Sequence, residues 1–298
     1  MIDLHMHSSF SNDGELTPLA LIDKCFAQGI TILSITDHNC VRANQVEHIA
    51  KEKGLTYITG IEIDCVYQGV NFHMLGYNIN YHTNDFEQIE QNIRSQGLKV
   101  SLEMLEKTQA LGLHVTENEL WDLAKNTYWP ETWTGEMFAE ILLAKEEYKD
   151  HHLLLAYRAG QFRGDNPYVN FYWDYYAQGK TCYVPISYPP MNQIIDLIHQ
   201  NKGYAVLAHP GVNLKGNETL LEGIVSLGID GIEAFSSYHT PAKACQYYNE
   251  AKRFQLFTTC GSDFHGKTKP SIVLGRHGSL LRNHNLIKQI KFLSYIHP

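Results

Sequence analysis

The sequence lacks three features, each of which would assign it to a different class of protein. No apolar run in its 298 residues reaches the roughly 18–20 residues that a membrane-spanning helix needs. Its six cysteines are scattered without a CxxC spacing, so we expect reduced thiols in a cytoplasmic protein rather than a disulfide framework. The chain does not open with a basic region followed by an apolar one, so we expect no signal peptide.

Positive charge is also scarce. The 24 lysines and arginines face 32 aspartates and glutamates, a formal net charge of −8. A protein that coats nucleic acid would carry the opposite sign, so we expect no stable nucleic-acid coat. An anionic substrate is compatible with this charge if bound metal ions supply local positive charge. Histidine, in contrast, is abundant at 16 residues, and several lie in apolar stretches where an imidazole needs a partner.

Strand and helix patterns alternate in both the first and the last part of the chain. Between the strand-like segments lie patterns typical of helices, such as "TPLALIDKCFAQG" at 17–29, with Thr17 as N-cap and Pro18 at the first helical position. This alternation predicts a parallel sheet with crossover helices, and the length suits one α/β barrel with an insertion. The seven strand-like segments are 1–7, 31–38, 56–65, 71–78, 204–210, 230–235 and 256–266.

The pattern changes between these two parts. A long helix is predicted from about 84 to 111, and a second helix begins at Thr116 with the capping-box spacing to Glu119. All four tryptophans lie within 121–176. We therefore predict a metal-binding barrel formed by residues 1–83 and 191–298, with a mostly helical, aromatic-rich insertion, or lid, over 84–190.

Nearly every predicted strand carries or ends in a potential metal ligand. In a closed parallel barrel the carboxyl ends of the strands converge on one face, and side chains two residues apart point the same way. So many imidazoles and carboxylates at one mouth would repel or stay unsatisfied unless cations hold them. Mixed nitrogen and oxygen ligands suit zinc, manganese or iron. The residues are His5, His7, Asp37, His38, Glu62, His73, His209, Asp263 and His265.

Six segments resemble the PHP (polymerase and histidinol phosphatase) superfamily of metal-dependent phosphoesterases. They are "DLHMHSSFSNDG", "ITDHN", "GIEI", "FHMLGY", "VLAHPG" and "GSDFHG", in the family order across residues 1–80 and 200–275. The resemblance implies the PHP fold, an α/β architecture described as a distorted TIM-like barrel with seven strands. It also implies a site for two or three divalent metal ions, which we expect to be manganese, zinc or iron.

The resemblance further implies which residues bind the ions. One ion would have His5, His7, Glu62 and Asp263. A second would have Asp13, His38 and His265. A third would have Glu62, His73 and His209. All nine positions hold competent ligands, which argues against an inactive copy. The candidate catalytic residues are Asp37, as a partner of a ligand or a proton acceptor, and His239.

The implied reaction is hydrolysis of a small phosphate ester by a hydroxide that bridges metal ions. The position of the insertion resembles the branch that hydrolyses nucleoside 3′,5′-bisphosphates or trims short RNA from its 5′ end. This sequence departs from that branch, because "ETWTGEMFAEIL" at 131–142 stands where an arginine-containing segment is expected. The remaining candidates for phosphate binding in the insertion are Arg94, Arg158 and Arg163.

Several alternatives stay open. The chain could be a 5′-3′ exonuclease on short oligonucleotides, a hydrolase of a non-phosphate bond of the amidohydrolase type, or a metal-binding regulatory module without turnover. The aromatic residues of 121–176 could stack a nucleotide base or pack a small helical lid. The preferred hypothesis is a phosphoesterase acting on a small phosphorylated compound, with a nucleotide bisphosphate as the first specific substrate to test.

Overall fold

A computed structural model describes residues 1–290, 292 and 293. The strands in this part of the chain are β1 (Ile2–Asp3), β2 (Ile32–Leu33), β3 (Thr56–Tyr57), β4 (Gly60–Tyr67), β5 (Val70–Tyr77), β6 (Tyr204–Leu207), β7 (Gly231–Ser236) and β8 (Phe257–Gly261). The α-helices are α1 (Pro18–Ala27), α2 (Glu47–Glu52), α3 (Asp85–Ala110), α4 (Glu117–Ala124), α5 (Gly135–Ala144), α6 (Pro167–Tyr175), α7 (Met191–Gln200), α8 (Pro210–Asn213), α9 (Leu221–Ser226), α10 (Pro241–Arg253) and α11 (Asn283–Gln289). Among these helices, none has the length and apolar character to cross a membrane.

The strands form two sheets that adjoin at both edges. The first sheet is parallel, in the order β1-β2-β3, and the second has the order β4-β5-β6-β7-β8. In the second sheet β5 is antiparallel to both β4 and β6, and the remaining pairs are parallel. At one edge Leu4 N donates to Cys260 O at 3.0 Å, and at the other Asn39 N donates to Glu62 O at 2.7 Å. These bonds place the segment that follows β1 beside β8 and the segment that follows β2 beside β4.

The prediction of seven strands in one closed, parallel barrel is wrong in two respects for the part of the chain described. The segment predicted as one strand at 56–65 is divided into β3 and β4, so the strands number eight. The side chain of Asn44 lies at the break, where it accepts from Gly60 N at 2.8 Å and donates to Gly60 O at 2.9 Å. On this side Gly60 therefore bonds to a side chain, whereas on the other it is in register with Tyr77 of β5.

The second difference is the antiparallel hairpin of β4 and β5. Only Gln68 and Gly69 connect the two strands, and their φ angles are 48° and 79°. A parallel crossover needs a dozen or more residues, so a connection of this length permits only an antiparallel pair. The fold is therefore a mixed α/β arrangement of two adjoining sheets.

The helices between Asp85 and Tyr175 pack around their own apolar cluster. Helix α3 matches the predicted long helix, and α4 has the predicted capping box between Thr116 and Glu119. Buried members of the cluster include Leu120, Trp133 and Phe138. Because Trp129 Nε1 donates to Phe10 O at 2.5 Å, this helical segment is held against the loop that follows β1.

Candidate metal centre

The Glu62 carboxylate lies at the centre of the site. It is fully buried on β4. Its two oxygens lie 3.0–3.3 Å from nitrogens of five imidazoles, which belong to His5, His7, His38, His73 and His209. Burial alone would raise the pKa of this carboxyl, but the surrounding imidazoles hold it well below its usual range. Glu62 is therefore ionised and faces histidines from four separate segments of the chain.

The segment after β8 completes the cluster from the opposite side. Asp263 Oδ1 lies 3.2 Å from His5 Nε2 and 3.1 Å from His7 Nε2. His265 Nε2 lies 3.1 Å from Asp13 Oδ2. All nine residues that the resemblance implies as metal ligands are thus brought together.

Four of the histidines point a nitrogen lone pair into the cluster. In each of these histidines, Nδ1 lies close to an oxygen on the outside of the cluster. That oxygen either has no proton to donate or already donates its proton to another group. The Nδ1 atom therefore donates, and Nε2 is left as the inward-facing atom that can bind a metal. The pairs are His5 with Glu233, His7 with Ser11, His209 with Asn213, and His265 with the backbone oxygen of Asp263.

Three atoms of the nine residues have no hydrogen bond among the described residues. They are Asp13 Oδ1, His38 Nδ1 and Asp263 Oδ1, all buried. His38 Nδ1 lies only 3.3 Å from a Glu62 oxygen, yet the pair lacks hydrogen-bond geometry. Lone pairs that lie this close without a hydrogen bond between them can instead be shared by a cation bound among them. The donor set fits divalent ions that take mixed nitrogen and oxygen ligands.

The donor atoms fall into three groups, and within each group all atoms lie within 4.8 Å of one another. The groups are His5, His7, Glu62 and Asp263; then His7, Asp13, His38 and His265; then His38, Glu62 and His73. The first has the same membership as the first predicted ligand set. The second adds His7, and the third has His38 where His209 was expected, although His209 Nε2 is 3.0 Å from Glu62. Three residues belong to two groups each, so the groups form one continuous centre.

Sequence reasoning missed two carboxylates that orient the histidines. Glu233, fully buried on β7, faces His5 Nδ1 at 3.0 Å and accepts from His209 N at 2.8 Å. Asp64 faces His73 Nε2 at 3.0 Å. The sequence feature that could have identified Glu233 is its position as the single acidic residue of the apolar strand "GIEAFS". Such outer carboxylates fix the orientation of metal-binding imidazoles.

The two candidate catalytic residues lie outside the ring of donor atoms. Asp37 is fully buried and accepts from Ser8 N and Ser8 Oγ at 2.6 Å and from Ser11 Oγ at 3.0 Å, and burial raises its pKa. It therefore holds the loop of His7. His239 has Nδ1 2.9 Å from Ala234 O and accepts from Gly211 N through Nε2 at 3.0 Å. Both of its ring nitrogens are thus engaged by backbone groups.

A model of the PHP domain matches residues 3–208, which is more than half of the chain. The chain belongs to the PHP domain family. This confirms the resemblance seen in the sequence, and it places the protein among hydrolases that act on phosphate esters. Candidate clusters of metal-binding residues accord with the metal-dependent phosphoesterases of this family.

Relatives of this PHP protein carry more than one name. It is 30% identical to the 5′-3′ exoribonuclease Rnm of Escherichia coli, across 92% of this chain and 88% of that one. It is 28% identical to the 3′,5′-nucleoside bisphosphate phosphatase of Chromobacterium violaceum, across 89% and 87%. A solved structure described as a Chromobacterium violaceum amidohydrolase with bound sulfate superposes with a TM-score of 0.73 at 26% identity, again across 89% and 87%.

A cavity of about 180 Å³ adjoins the candidate metal centre of this PHP protein. Asp13, His38 and His73 line one end of it, and residues of the helical segment line the other. The three arginines expected to bind phosphate are not among its lining residues. Arg94 pairs with Glu90, Arg158 donates to backbone oxygens, and Arg163 pairs with Asp174.

Proposed function

We propose that the nine residues hold two or three divalent metal ions and that the phosphate of a small phosphorylated substrate binds beside them for hydrolysis. The observation that supports this most strongly is the convergence of buried nitrogen and carboxylate donor atoms from nine residues, three of which have an atom without a hydrogen bond among the described residues. When bound, manganese, zinc or iron would lower the pKa of a water and offset the negative charge of the phosphate. The nine residues are His5, His7, Asp13, His38, Glu62, His73, His209, Asp263 and His265.

The residues around the donor atoms hold them in place. Lys269 is 8% exposed in its side chain, and its Nζ lies 2.7 Å from Asp263 Oδ2, which also accepts from the Tyr238 hydroxyl at 2.6 Å. These two contacts occupy the outer oxygen and leave Oδ1 facing the centre. We propose that Asp37 acts in the same indirect way, through Ser11, and that His239 fixes the loop after β6. Neither is assigned a proton transfer.

We further propose that residues 84–190 form a lid over a metal-binding unit made of 1–83 and 191–298. The last five residues of that unit and Lys291 lie outside the described part of the chain. The helical segment has an apolar cluster separate from the one that includes β4 to β8. It also supplies most of the wall of the cavity beside the donor atoms. A lid in this position would exclude water from the phosphate and select the rest of the substrate.

Replacing Glu233 by Gln is expected to weaken metal binding about 10–100-fold, the usual effect of losing an outer partner of a ligand. The amide has one oxygen where the carboxylate has two, so His5 Nδ1 and His209 N cannot both keep their acceptor. Titration calorimetry with manganese measures the change. Glu222→Gln is the control, because that side chain is 69% exposed and its ion pair is with the surface residue Arg253. Equal affinity in Glu233→Gln and the wild type would refute the positioning role.

The proposed reaction is tested with manganese-loaded protein, adenosine 3′,5′-bisphosphate and a short 5′-phosphorylated RNA. Inorganic phosphate from the bisphosphate would support a phosphatase like the Chromobacterium relative, whereas mononucleotides from the RNA would support an exonuclease like the Escherichia relative. Cleavage of amides but not of a wider panel of phosphate esters would favour an amidohydrolase. Bound metal without any turnover would favour a regulatory module, and either of these last outcomes would overturn the proposal.

A further inference from the structure

We propose that the cavity beside the metal centre admits a compact substrate with one phosphate and one uncharged planar ring that carries a hydrogen-bond acceptor. This inference rests on the proposed phosphoesterase function and narrows it to a substrate class. Four observations support it: the volume of the cavity, its aromatic wall, the indole N–H of a lining residue that has no partner among the described residues, and the shortage of free positive charge.

The volume suits a single ring. The cavity measures about 180 Å³. For comparison, an engineered apolar cavity of about 150 Å³ binds one benzene molecule. A ring of this size, joined to a phosphate at the metal centre, fills the space, whereas a longer nucleic-acid chain would have to extend beyond it.

The wall of the cavity away from the metal centre is mainly apolar and aromatic. It is formed by α3, by the segment that leads into α5, and by α6. Aromatic side chains favour flat ligands, because offset stacking and edge contacts use the whole ring face. The lining includes Met104, Trp133, Tyr172, Trp173 and Tyr188.

Trp133 supplies the polar contact that we infer. The residue is 2% exposed, and its backbone N donates to Ser101 Oγ at 2.8 Å, which fixes the chain at this point. Its indole Nε1 can only donate, and it has no partner among the described residues. An unpaired buried donor is costly, so an acceptor on a bound ring would relieve that cost.

The charges around the cavity disfavour a second phosphate. Lys269 is the one lysine or arginine among the described lining residues, and Asp263 already pairs with it at 2.7 Å. Asp64 also lines the cavity. A second phosphate at the aromatic end would therefore lose water without gaining a charged hydrogen-bond partner.

The test compares two aryl phosphates that differ at one ring atom. Phenyl phosphate has no ring acceptor, and pyridin-3-yl phosphate has a ring nitrogen. In the manganese-loaded wild type we expect KM for the pyridyl ester to be about threefold to tenfold lower, the usual worth of one hydrogen bond. In Trp133→Phe, which keeps a ring but removes the N–H, the two KM values should become equal.

Trp121→Phe is the matched control, since Trp121 is 48% exposed and is not among the lining residues. It should keep the wild-type ratio. Calorimetric binding of the two corresponding phosphonates repeats the comparison without turnover. Adenosine 3′,5′-bisphosphate should have a KM no lower than that of phenyl phosphate.

The outcomes separate this inference from the proposed function. Equal KM values for both aryl esters in the wild type, or a KM for the bisphosphate tenfold below theirs, would overturn the inference while leaving the phosphoesterase in place. If the phosphonates bind in a manner that depends on Trp133 but no ester is hydrolysed, the proposed function is overturned. The inferred preference of the cavity for a ring with an acceptor is then retained.

Discussion

Replacing His7 or Asp263 by Ala is expected to lower kcat/KM about a thousandfold, equivalent to about 4 kcal/mol of lost transition-state stabilisation. His7 belongs to two of the three donor groups, and Asp263 Oδ1 lies 3.1 Å from its Nε2. Either change therefore removes a donor from a shared part of the centre. We expect elemental analysis to find fewer ions per chain in both variants, and excess manganese should not restore the rate.

The two variants should differ in their effect on folding, and this difference distinguishes a loss of metal binding from a loss of stability. Asp263→Ala would leave the buried ammonium of Lys269 without its carboxylate, so thermal unfolding of this variant should be measured alongside activity. His7→Ala leaves no such charge. His48→Ala, at an exposed position whose imidazole bonds to Gln45 O, should retain full activity. Unchanged turnover in both His7→Ala and Asp263→Ala would show that the site is wrongly assigned.

Replacing Glu62 by Gln is expected to have an effect of similar size, about a hundredfold to a thousandfold on kcat/KM. Glutamine keeps the shape of the glutamate side chain but removes the negative charge at the centre of five imidazoles. Its amide nitrogen replaces one of the two carboxylate oxygens. Because Glu62 belongs to two donor groups, we expect the loss of at least one ion per chain.

Two further variants test whether the loss of activity is specific to the Glu62 carboxylate. Asp64→Asn changes a carboxylate two residues away that contacts only His73 within the centre, so its effect should be smaller. Glu52→Gln changes an exposed carboxylate at the end of α2 and should have no effect. If Glu62→Gln bound as many ions as the wild type and turned over normally, Glu62 could not be a shared ligand.

The local order of the sequence was enough to predict several elements. Helix α1 begins at Pro18 with Thr17 as its N-cap, and α4 begins after the capping box of Thr116 and Glu119. Each of these signals depends on side chains that bond to backbone groups within a few residues, so no distant partner is needed. The contact of Asn44 with Gly60 at the start of β4 could not be predicted in this way, because Asn44 lies 16 residues before Gly60.

What the sequence determined by itself is the set of candidate ligands and the family to which they belong. His5 and His7 alternate with apolar residues, and Asp263 and His265 have the same spacing, so their types and separations already indicated a metal-binding chemistry. The spacing along the chain carries this information because side chains two residues apart point the same way.

Only the tertiary structure decided how these residues are held and what lies beside them. Glu233 meets His5 across 228 positions of sequence, the insertion arginines are engaged away from the cavity, and the buried Trp133 has an N–H without a partner in the described part of the chain. Each of these facts depends on how distant segments pack against one another. No local pattern encodes such packing, because the free energy of a buried contact is set by both partners and by the exclusion of water around them.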